Sequence, residues 1–303
     1  MRLLLAGDTH GNLGHVRRIL RAAADRGLEH VFQLGDFGYW EHEHSGVHFL
    51  DAAHRAARDH GVTLYFLDGN HDKSGLLHER YGDRPDAEGF LQVRGRIRYA
   101  PRGHAWTWDG VRFLAFGGAR SVDKDERLKE EKRRHQKAAR KEGHRLAAGR
   151  PPGEVRDFAG TLWFPEEEAT DDDVRRIIAA ATAPEGTDTT EGTDTTDTTE
   201  GRAGAPGTDV LLTHDKPRAT RPGTNRKDLA ICHPNQARVQ RLIDALHPRL
   251  AAHGHLHHRY TATLTRPRAT TRVEGLAADP GVSWDLPGYK VSDSWLEVDT
   301  ATL

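Results

Sequence analysis

The sequence is very poor in cysteine, since Cys232 is the only one in 303 residues. Disulfide bonds therefore cannot hold the fold together, and nothing near Cys232 supplies a resolving thiol. We interpret Cys232 as a reduced packing residue. A chain of this length can bury a sizeable core, either as one domain or as a domain with insertions.

The sequence also lacks a long apolar run. The segment Met1–Gly7 is too short for a signal sequence or a membrane span, and it leads directly into a polar motif at Asp8. We therefore expect a soluble cytoplasmic protein with no membrane partner. The formal net charge of −1 gives no overall argument for binding to nucleic acid or membranes. The composition is unusual in its 20 histidines, whose placement is more informative than their number.

The first part of the sequence alternates between short strands and amphipathic helices. Apolar runs at residues 2–7, 31–34 and 62–67 are bounded by Gly or Asp and indicate strands. Residues 14–26 and 46–60 carry apolar side chains at helical spacing. This order indicates βαβ units and a largely parallel sheet, in which ligands bind at the carboxyl ends of the strands.

The later sequence indicates a second set of elements. Residues 90–117 are typical of consecutive short strands, with Asp109-Gly110 as a hairpin turn. Pro165 is predicted to open a helix that runs to Ala183. Further predictions are a strand at 210–212, a helix at 234–246, a strand at 250–252, and strands over 259–299 with turns at Asp279-Pro280-Gly281 and Pro287-Gly288.

Two segments carry too few apolar side chains to form a core. Residues 184–208 repeat Thr-Asp-Thr-Thr and Glu-Gly units, which predicts a flexible surface loop. Residues 128–150 are basic, with glutamates interspersed and no aromatic side chains for base stacking. We favour a solvated helix for this segment, and an arm that follows a nucleic-acid backbone is the alternative.

Chemically active residues follow the predicted strands. The motifs are Asp8-Thr9-His10-Gly11, Gly35-Asp36, Gly69-Asn70-His71-Asp72, His214-Asp215 and Gly254-His255-Leu256-His257. Asp8 and His10 are two residues apart on extended backbone, so their side chains point the same way and can chelate one cation. His255 and His257 repeat this spacing with two imidazoles, which are the commonest transition-metal donors.

Each motif also has an ordinary structural interpretation. Asp8 could cap a helix beside a surface His10, the Asp36 and Asn70 motifs could be polar turns, and the last pair could belong to a His-rich surface. Their joint occurrence makes coincidence the less favoured interpretation. Together they supply carboxylate, imidazole and amide ligands for two cations that share one carboxylate. Metal-assisted phosphoester hydrolysis is therefore the leading hypothesis.

In this order the motifs closely resemble the blocks D-x-H, G-D, G-N-H, H and G-H-x-H of the calcineurin-like metallophosphoesterase superfamily, over almost the whole chain. Residues 115–127 and 163–167 are similar to a bacterial and phage-type subgroup, in which the two pieces lie closer together. The resemblance implies an α/β fold, a four-layer α/β/β/α sandwich with two mixed β-sheets flanked by helices. It also implies one domain over 1–303, with a basic insertion near 128–158 and the loop at 184–208 as a second insertion.

The resemblance further implies two divalent cations, with manganese favoured and iron, zinc or nickel as alternatives. One cation would be held by Asp8, His10, Asp36 and His257, and the other by Asp36, Asn70, His214 and His255. Asp36 would bridge the pair at about 3.5–4 Å, and a bridging water or hydroxide would attack phosphorus. His71 is not a ligand in the family and would stabilise the leaving oxygen or donate its proton, with an ordinary hydrogen-bond role as the alternative.

Further residues are candidates for substrate contact. Many relatives follow Gly-Asp with x-x-Asp-Arg, but here Tyr39 and Trp40 occupy the last two positions. This departure argues against a standard phosphoprotein phosphatase and favours an aromatic wall, since stacking on a base contributes about 1–3 kcal/mol. Arg120, Lys124 and Arg127 offer contacts to substrate phosphate. Ordinary packing of Trp40 and ion pairing of the cationic residues are the alternatives.

The favoured function is hydrolysis of a phosphomonoester or phosphodiester that is small or nucleotide-like. A nuclease of the same superfamily that uses the basic insertion is one alternative. A catalytically silent binding protein on the same fold is another, although such a protein has no physical need for a complete ligand set. The sequence leaves open the substrate, the metal and the oligomeric state.

Overall fold

The structure is a computed structural model and describes residues 1–39, 44–153, 159–183, 207–222, 229–267, 269–283 and 288–303. Within these ranges the strands are β1 (Arg2–Ala6), β2 (His30–Gln33), β3 (Thr63–Phe66), β4 (Leu91–Arg94), β5 (Ile97–Tyr99), β6 (Ala105–Trp108), β7 (Val111–Phe116), β8 (Val210–Thr213), β9 (Leu250–His253), β10 (Tyr260–Arg266), β11 (Ala269–Gly275) and β12 (Trp295–Asp299). The helices are α1 (Leu13–Ala24), α2 (His44–Asp59), α3 (Ser74–Tyr81), α4 (Lys124–Ala147), α5 (Asp171–Thr182), α6 (His233–Leu246) and α7 (Pro280–Ser283). No helix in these ranges combines the length and the apolar character that a membrane crossing needs.

The first sheet contains six strands in the order β12-β1-β2-β3-β5-β4. Its four central strands are parallel, and β12 and β4 add antiparallel edges. The strands are apolar on both faces. Leu4 and Ala6 belong to a core shared with α1 and α2, whereas Leu3 and Leu5 face the second sheet. Strand alternation therefore packs one face against helices and places the other in the middle of the protein.

The second sheet has the order β10-β11-β9-β8-β7-β6, again with parallel central strands and antiparallel edges. Leu114 and Phe116 of β7 pack with α5 and α6, while Phe113 and Ala115 point to the first sheet. The sheets meet through stacked aromatic rings, and Phe32 lies 5.3 Å from Trp106 between ring centroids. The layers are thus α/β/β/α with two mixed sheets, which confirms the predicted fold class.

The predicted hairpin at Asp109-Gly110 is confirmed. Trp108 pairs with Val111, so the loop between β6 and β7 has two residues. Both turn residues have positive φ, 49° at Asp109 and 73° at Gly110. This is the conformation of a type I′ turn, for which Asp-Gly is a preferred sequence.

The helix predicted to open at Pro165 begins elsewhere. Residues Pro165–Glu167 form one 3-10 turn, and α5 starts at Asp171. The Thr170 side chain accepts a hydrogen bond from the Asp173 amide, and the Asp173 carboxylate accepts one from the Thr170 amide. This capping box sets the start of α5. The prediction that Pro165 begins the helix was therefore wrong.

Helix α4 is an exposed arm, and we call Lys124–Ala147 the α4 arm. Its one buried residue within the described ranges is Glu131, whose carboxylate accepts the amides of residues 161–163 at 2.7 to 3.0 Å. This contact ties the base of the arm to the returning chain. The segment is helical and exposed, as predicted, and the helix starts at Lys124, earlier than predicted. Residues 154–158 of the predicted insertion and 184–206 of the predicted loop lie outside the described residues, and the domain assignment stays a prediction.

Candidate metal centre

The predicted metal ligands lie at the carboxyl ends of the central strands of both sheets. The loops after β1, β2 and β3 carry ligands from the first sheet, and the residues after β8 and β9 carry those from the second. Four of the ligands adopt a positive φ: 44° at His10, 54° at Asp36, 62° at His255 and 56° at His257. Such backbone conformations are rare for residues other than glycine, and their clustering is typical of functional sites.

Three overlapping groups of side chains place ligand atoms within 4.8 Å of one another. They are Asp8, His10 and His257; His10, Asp36 and His71; and Asp36, His214 and His255. Asn70 joins the last group, because its Oδ1 lies 3.2 Å from His214 Nε2. Asp36 stands between the two halves of the cluster, with its Oδ2 3.5 Å from His10 Nε2 and its Oδ1 3.4 Å from His214 Nε2. The structure thus brings all seven predicted ligands together.

The carboxylates of Asp8 and Asp36 each have one oxygen held by a backbone amide and a second oxygen that faces an imidazole. Asp8 Oδ1 accepts the His255 amide at 2.9 Å, and Asp36 Oδ1 accepts the His71 amide at 2.8 Å. In the described part of the chain neither buried Oδ2 atom accepts a well-aligned hydrogen bond, although Asp8 Oδ2 lies 3.0 Å from His257 Nε2 and Asp36 Oδ2 lies 3.5 Å from His10 Nε2. Leaving a buried acceptor unsatisfied costs about 1–3 kcal/mol, and more when it is charged. A cation would satisfy both atoms, and the mixed oxygen and imidazole donors suit manganese, iron, zinc or nickel.

The electrostatics of the cluster favour positive charge. Burial lowers the pKa of His10, but the contact with Asp279 and the nearby negative charge of Asp36 outweigh burial and raise this pKa to about 10. Burial likewise lowers the pKa of His214, yet the charge of Asp36 and its neighbours raises it to about 9. The pKa of Asp8 is lowered despite its burial, because neighbouring histidines stabilise the carboxylate. Either protons on the histidines or bound metal cations can supply the positive charge that this cluster favours.

Asp279 orients His10, and sequence reasoning did not identify it. His10 Nδ1 lies 3.0 Å from Asp279 Oδ2, while Asp279 Oδ1 accepts Asn12 Nδ2 at 3.0 Å and the Gly281 amide at 2.8 Å. With Nδ1 engaged, His10 turns Nε2 toward the cluster. The sequence predicted a turn that begins at Asp279. In the structure Asp279 immediately precedes α7, which starts at Pro280.

Two further contacts orient ligands of the other half. His214 Nδ1 lies 2.7 Å from the Leu34 carbonyl, so Nε2 is the nitrogen available to a cation. Asn70 Nδ2 donates to Ser121 Oγ at 3.0 Å, and Ser121 Oγ donates to Glu167 Oε2 at 2.6 Å. This relay keeps the amide nitrogen of Asn70 away from the cluster and its oxygen toward it. The predicted family motifs contain Ser121 and Glu167, but nothing in them indicated this role.

Asp72, the last residue of the Asn70 motif, is structural. Its buried carboxylate accepts four backbone amides, those of residues 37–39 at 2.8 to 3.0 Å and that of Gly69 at 3.0 Å. It thereby joins the loop after β2 to the loop after β3. Gly69 is required at this junction, because a Cβ there would lie 2.1 Å from Asp36 Oδ1. The backbone at residue 69 must approach the shared carboxylate closely, which only glycine permits.

His71 stands at the rim of the cluster and is bordered by Arg127. Its side chain is 30% exposed, and its Nε2 lies 3.8 Å from Asp36 Oδ2. Arg127 Nη2 lies 2.9 Å from His71 Nδ1 and 3.0 Å from His71 Nε2. Arg127 also donates from Nε to Asp123 and from Nη1 to the Leu162 carbonyl. The base of the α4 arm therefore forms one side of the opening.

The predicted aromatic wall is wrong for Tyr39. Its side chain is 0% exposed and belongs to the core beneath α1 and α2, so it has no surface to offer a substrate. The Tyr39 amide donates to the buried Asp72 carboxylate at 2.8 Å, and this contact draws the residue inward. Trp40 lies outside the described residues. Arg120 is half-buried, with Nη1 3.5 Å from Glu168 Oε1, and its contact with substrate stays a prediction.

The calcineurin-like phosphoesterase family model matches residues 1–180. A dimetal phosphatase from Danio rerio is 14% identical, covering 92% of this chain and 87% of its own, with a TM-score of 0.47. TT1561 of Thermus thermophilus is 12% identical over 91% and 89% of the two chains, with a TM-score of 0.46. Phosphopantetheinyl hydrolase from Mycobacterium tuberculosis is 14% identical over 98% and 96%, with a TM-score of 0.41. No curated protein compared with the sequence matches it significantly.

Proposed function

Since this chain belongs to the calcineurin-like phosphoesterase family, we propose that it hydrolyses a small or nucleotide-like phosphomonoester or phosphodiester with the help of two divalent cations. One observation carries this proposal. In the described part of the chain two buried carboxylate oxygens, on Asp8 and Asp36, accept no well-aligned hydrogen bond and face a cluster of imidazoles and one amide. A protein that only kept the fold would gain nothing from this costly arrangement.

The ligands divide into two overlapping sets. We assign one cation to Asp8, His10, Asp36 and His257, and the other to Asp36, Asn70, His214 and His255. Bound divalent cations supply Lewis acidity, which polarises the phosphoryl group and lowers the pKa of an attacking water. Manganese is our first choice, with iron, zinc and nickel as alternatives, because the donor set suits all four.

His71 is the residue to which we assign proton donation to the leaving oxygen. Its side chain is 30% exposed, compared with 17% for His10 and 9% for His257. The imidazole therefore borders the opening through which a leaving group departs. A general acid must come within hydrogen-bond reach of the oxygen it protonates, and this position allows that.

Arg127 is the residue to which we assign the substrate phosphate. Its contacts with Asp123, at 2.9 Å, and with the Leu162 carbonyl, at 3.1 Å, fix the guanidinium. Nη2 is thereby directed to the rim beside His71. A fixed guanidinium suits planar, bidentate binding of phosphate oxygens.

The experiment that tests this function is hydrolysis of p-nitrophenyl phosphate and bis(p-nitrophenyl) phosphate by protein loaded with each of the four metals. We expect metal-dependent release of nitrophenolate, and the ratio of the two rates selects monoester or diester. Asp36→Asn should abolish turnover, whereas Asp25→Asn, an exposed aspartate at the end of α1, should not change it. Absence of turnover with all four metals would contradict an enzymatic role and favour the silent binding protein.

A further inference from the structure

The α4 arm has a basic face that begins at the candidate metal centre. Arg127 contacts His71 at the base of the arm. At 3.6 residues per turn, most of the later cationic residues fall within the same half of the helix surface. Glu126 and Glu130 share that half, whereas Lys132 lies outside it. This basic face consists of Arg127, Arg133, Arg134, Lys137, Arg140, Lys141 and Arg145. The one acidic residue after Glu131 in the arm is Glu142, which lies away from this face and binds the Gly153 amide.

The outer part of the basic face is exposed to solvent. Lys137, Arg140 and Lys141 are exposed and form no ion pair within the described ranges. Arg133 and Arg134 bridge to Glu130 at 2.6 and 2.8 Å, but exposed pairs of this kind contribute little. Like charges at helical spacings of three and four residues destabilise a helix. The arm therefore carries a local electrostatic cost that binding of an anion would remove.

The dimensions of the basic face indicate a long anion. Arg127 and Arg145 are 18 positions apart in sequence, which spans about 27 Å at 1.5 Å per residue, far more than one small phosphoester. The arm also lacks Phe, Tyr and Trp. Contacts would therefore be made to repeated charges along a chain and not to stacked bases.

We propose that the basic face binds the phosphate backbone of a single-stranded nucleic acid and leads it to the metal centre. A polynucleotide combines repeated charge with the phosphodiester bond that this kind of site hydrolyses. The candidate metal centre is recessed, with His214 0% and His257 9% exposed, and a single strand is narrower than a duplex. Hydrolysis of the bound strand at the metal centre rests on the proposed function, whereas binding of the strand to the arm does not.

The test measures binding without cleavage. The full chain is titrated into a fluorescein-labelled 20-residue oligothymidylate with a chelator present, and anisotropy gives Kd from 50 to 200 mM NaCl. The triple variant Lys137→Gln/Arg140→Gln/Lys141→Gln keeps good helix formers on the arm. Each phosphate contact contributes about 0.7 to the slope of log K against log salt. We expect the slope to fall by about 2 and Kd at 50 mM NaCl to rise at least tenfold.

The matched control is Arg17→Gln/Arg21→Gln/Arg55→Gln, which removes three exposed cations from α1 and α2. Its Kd and slope should equal those of the unmodified protein. An unchanged slope in the arm variant, equal loss in both variants, or tighter binding of duplex than of single strand would each overturn the proposal. Turnover of bis(p-nitrophenyl) phosphate should be the same in both variants. If the unmodified protein hydrolyses no small ester, the proposed function fails while the binding result stands.

Discussion

Replacing Asp279 by alanine tests whether the residue behind His10 tunes one of the two cation sites. The change removes the acceptor 3.0 Å from His10 Nδ1 and the partner of Asn12 Nδ2. The imidazole then loses both the contact that directs Nε2 to the cluster and a nearby negative charge that makes it a better donor. His10 serves only one of the two proposed ligand sets, so the effect should be confined to one cation.

The expected magnitude follows from the role of such outer contacts. Loss of a partner that orients a metal ligand weakens metal binding by about 10- to 100-fold, which corresponds to about 1.4–2.7 kcal/mol. Asp279→Asn keeps an oxygen that can accept from His10 Nδ1 but loses the charge. We therefore expect the asparagine variant to bind more tightly than the alanine variant and more weakly than the unmodified protein.

The assay is competition between the protein and a fluorescent chelator for Mn²⁺, which resolves two binding constants. Asp279→Ala should weaken one of them and leave the other within about twofold of the unmodified protein. Asp25→Asn serves as the matched control, because it removes an exposed carboxylate from the end of α1. Unchanged constants in Asp279→Ala, or equal weakening of both, would refute the reasoning.

Three other changes have defined outcomes. His71→Ala should keep both cations and lower kcat for an aryl phosphate by about 10²- to 10⁴-fold, and a kcat near that of the unmodified protein would exclude the role. Ser121→Ala removes the acceptor 3.0 Å from Asn70 Nδ2 and should weaken binding of one cation by about tenfold or more in the same competition assay. Because it also leaves the buried Glu167 carboxylate without its donor, it should lower the free energy of unfolding by about 1–3 kcal/mol. In metal-free protein the pKa of His10 is raised from 6.5 to about 10, so its proton stabilises the fold fully below pH 6.5 and this contribution is lost as pH rises toward 10. Because a metal must displace that proton, Mn²⁺ affinity should increase from pH 7 to 9, and a pH-independent affinity would contradict this.

The clustering of the candidate ligands could be predicted from sequence because each lies close to the end of a strand. Asp8, Asp36 and Asn70 lie in the loops that follow β1, β2 and β3, and parallel strands bring their carboxyl ends to one edge. The glycines in the motifs also reflect the local geometry at the strand ends. A Cβ on Gly254 would lie 2.1 Å from Asp8 Oδ1, so the Gly-His pattern records a close approach of backbone to carboxylate.

The residues that orient the ligands could not be predicted, because their partners are distant in sequence. Asp279 is 269 positions from His10, and Ser121 is 51 positions from Asn70. Asp279 lies in a sequence typical of an ordinary turn, and the family motif that contains Ser121 does not indicate its contact with Asn70. Only the packing of the two sheets brings these side chains behind the ligands.

Tyr39 was wrongly predicted because local sequence does not fix which way a loop side chain points. Its position three residues after Asp36 suggested a place in the site. Asp72 instead draws the amides of residues 37–39 inward, and the Tyr39 ring enters the core. The helix predicted from Pro165 failed for a similar reason, since Glu167 is buried against Ser121.

The most direct test of the two-cation site is metal stoichiometry by mass spectrometry after equilibrium dialysis against Mn²⁺. The account predicts two cations per chain in the unmodified protein and in Asp25→Asn, and a loss of at least one in Asp36→Asn, because Asp36 lies between both ligand sets. Circular dichroism confirms that the variants are folded. Fewer than one bound cation in the unmodified protein, or two retained in Asp36→Asn, would contradict the account.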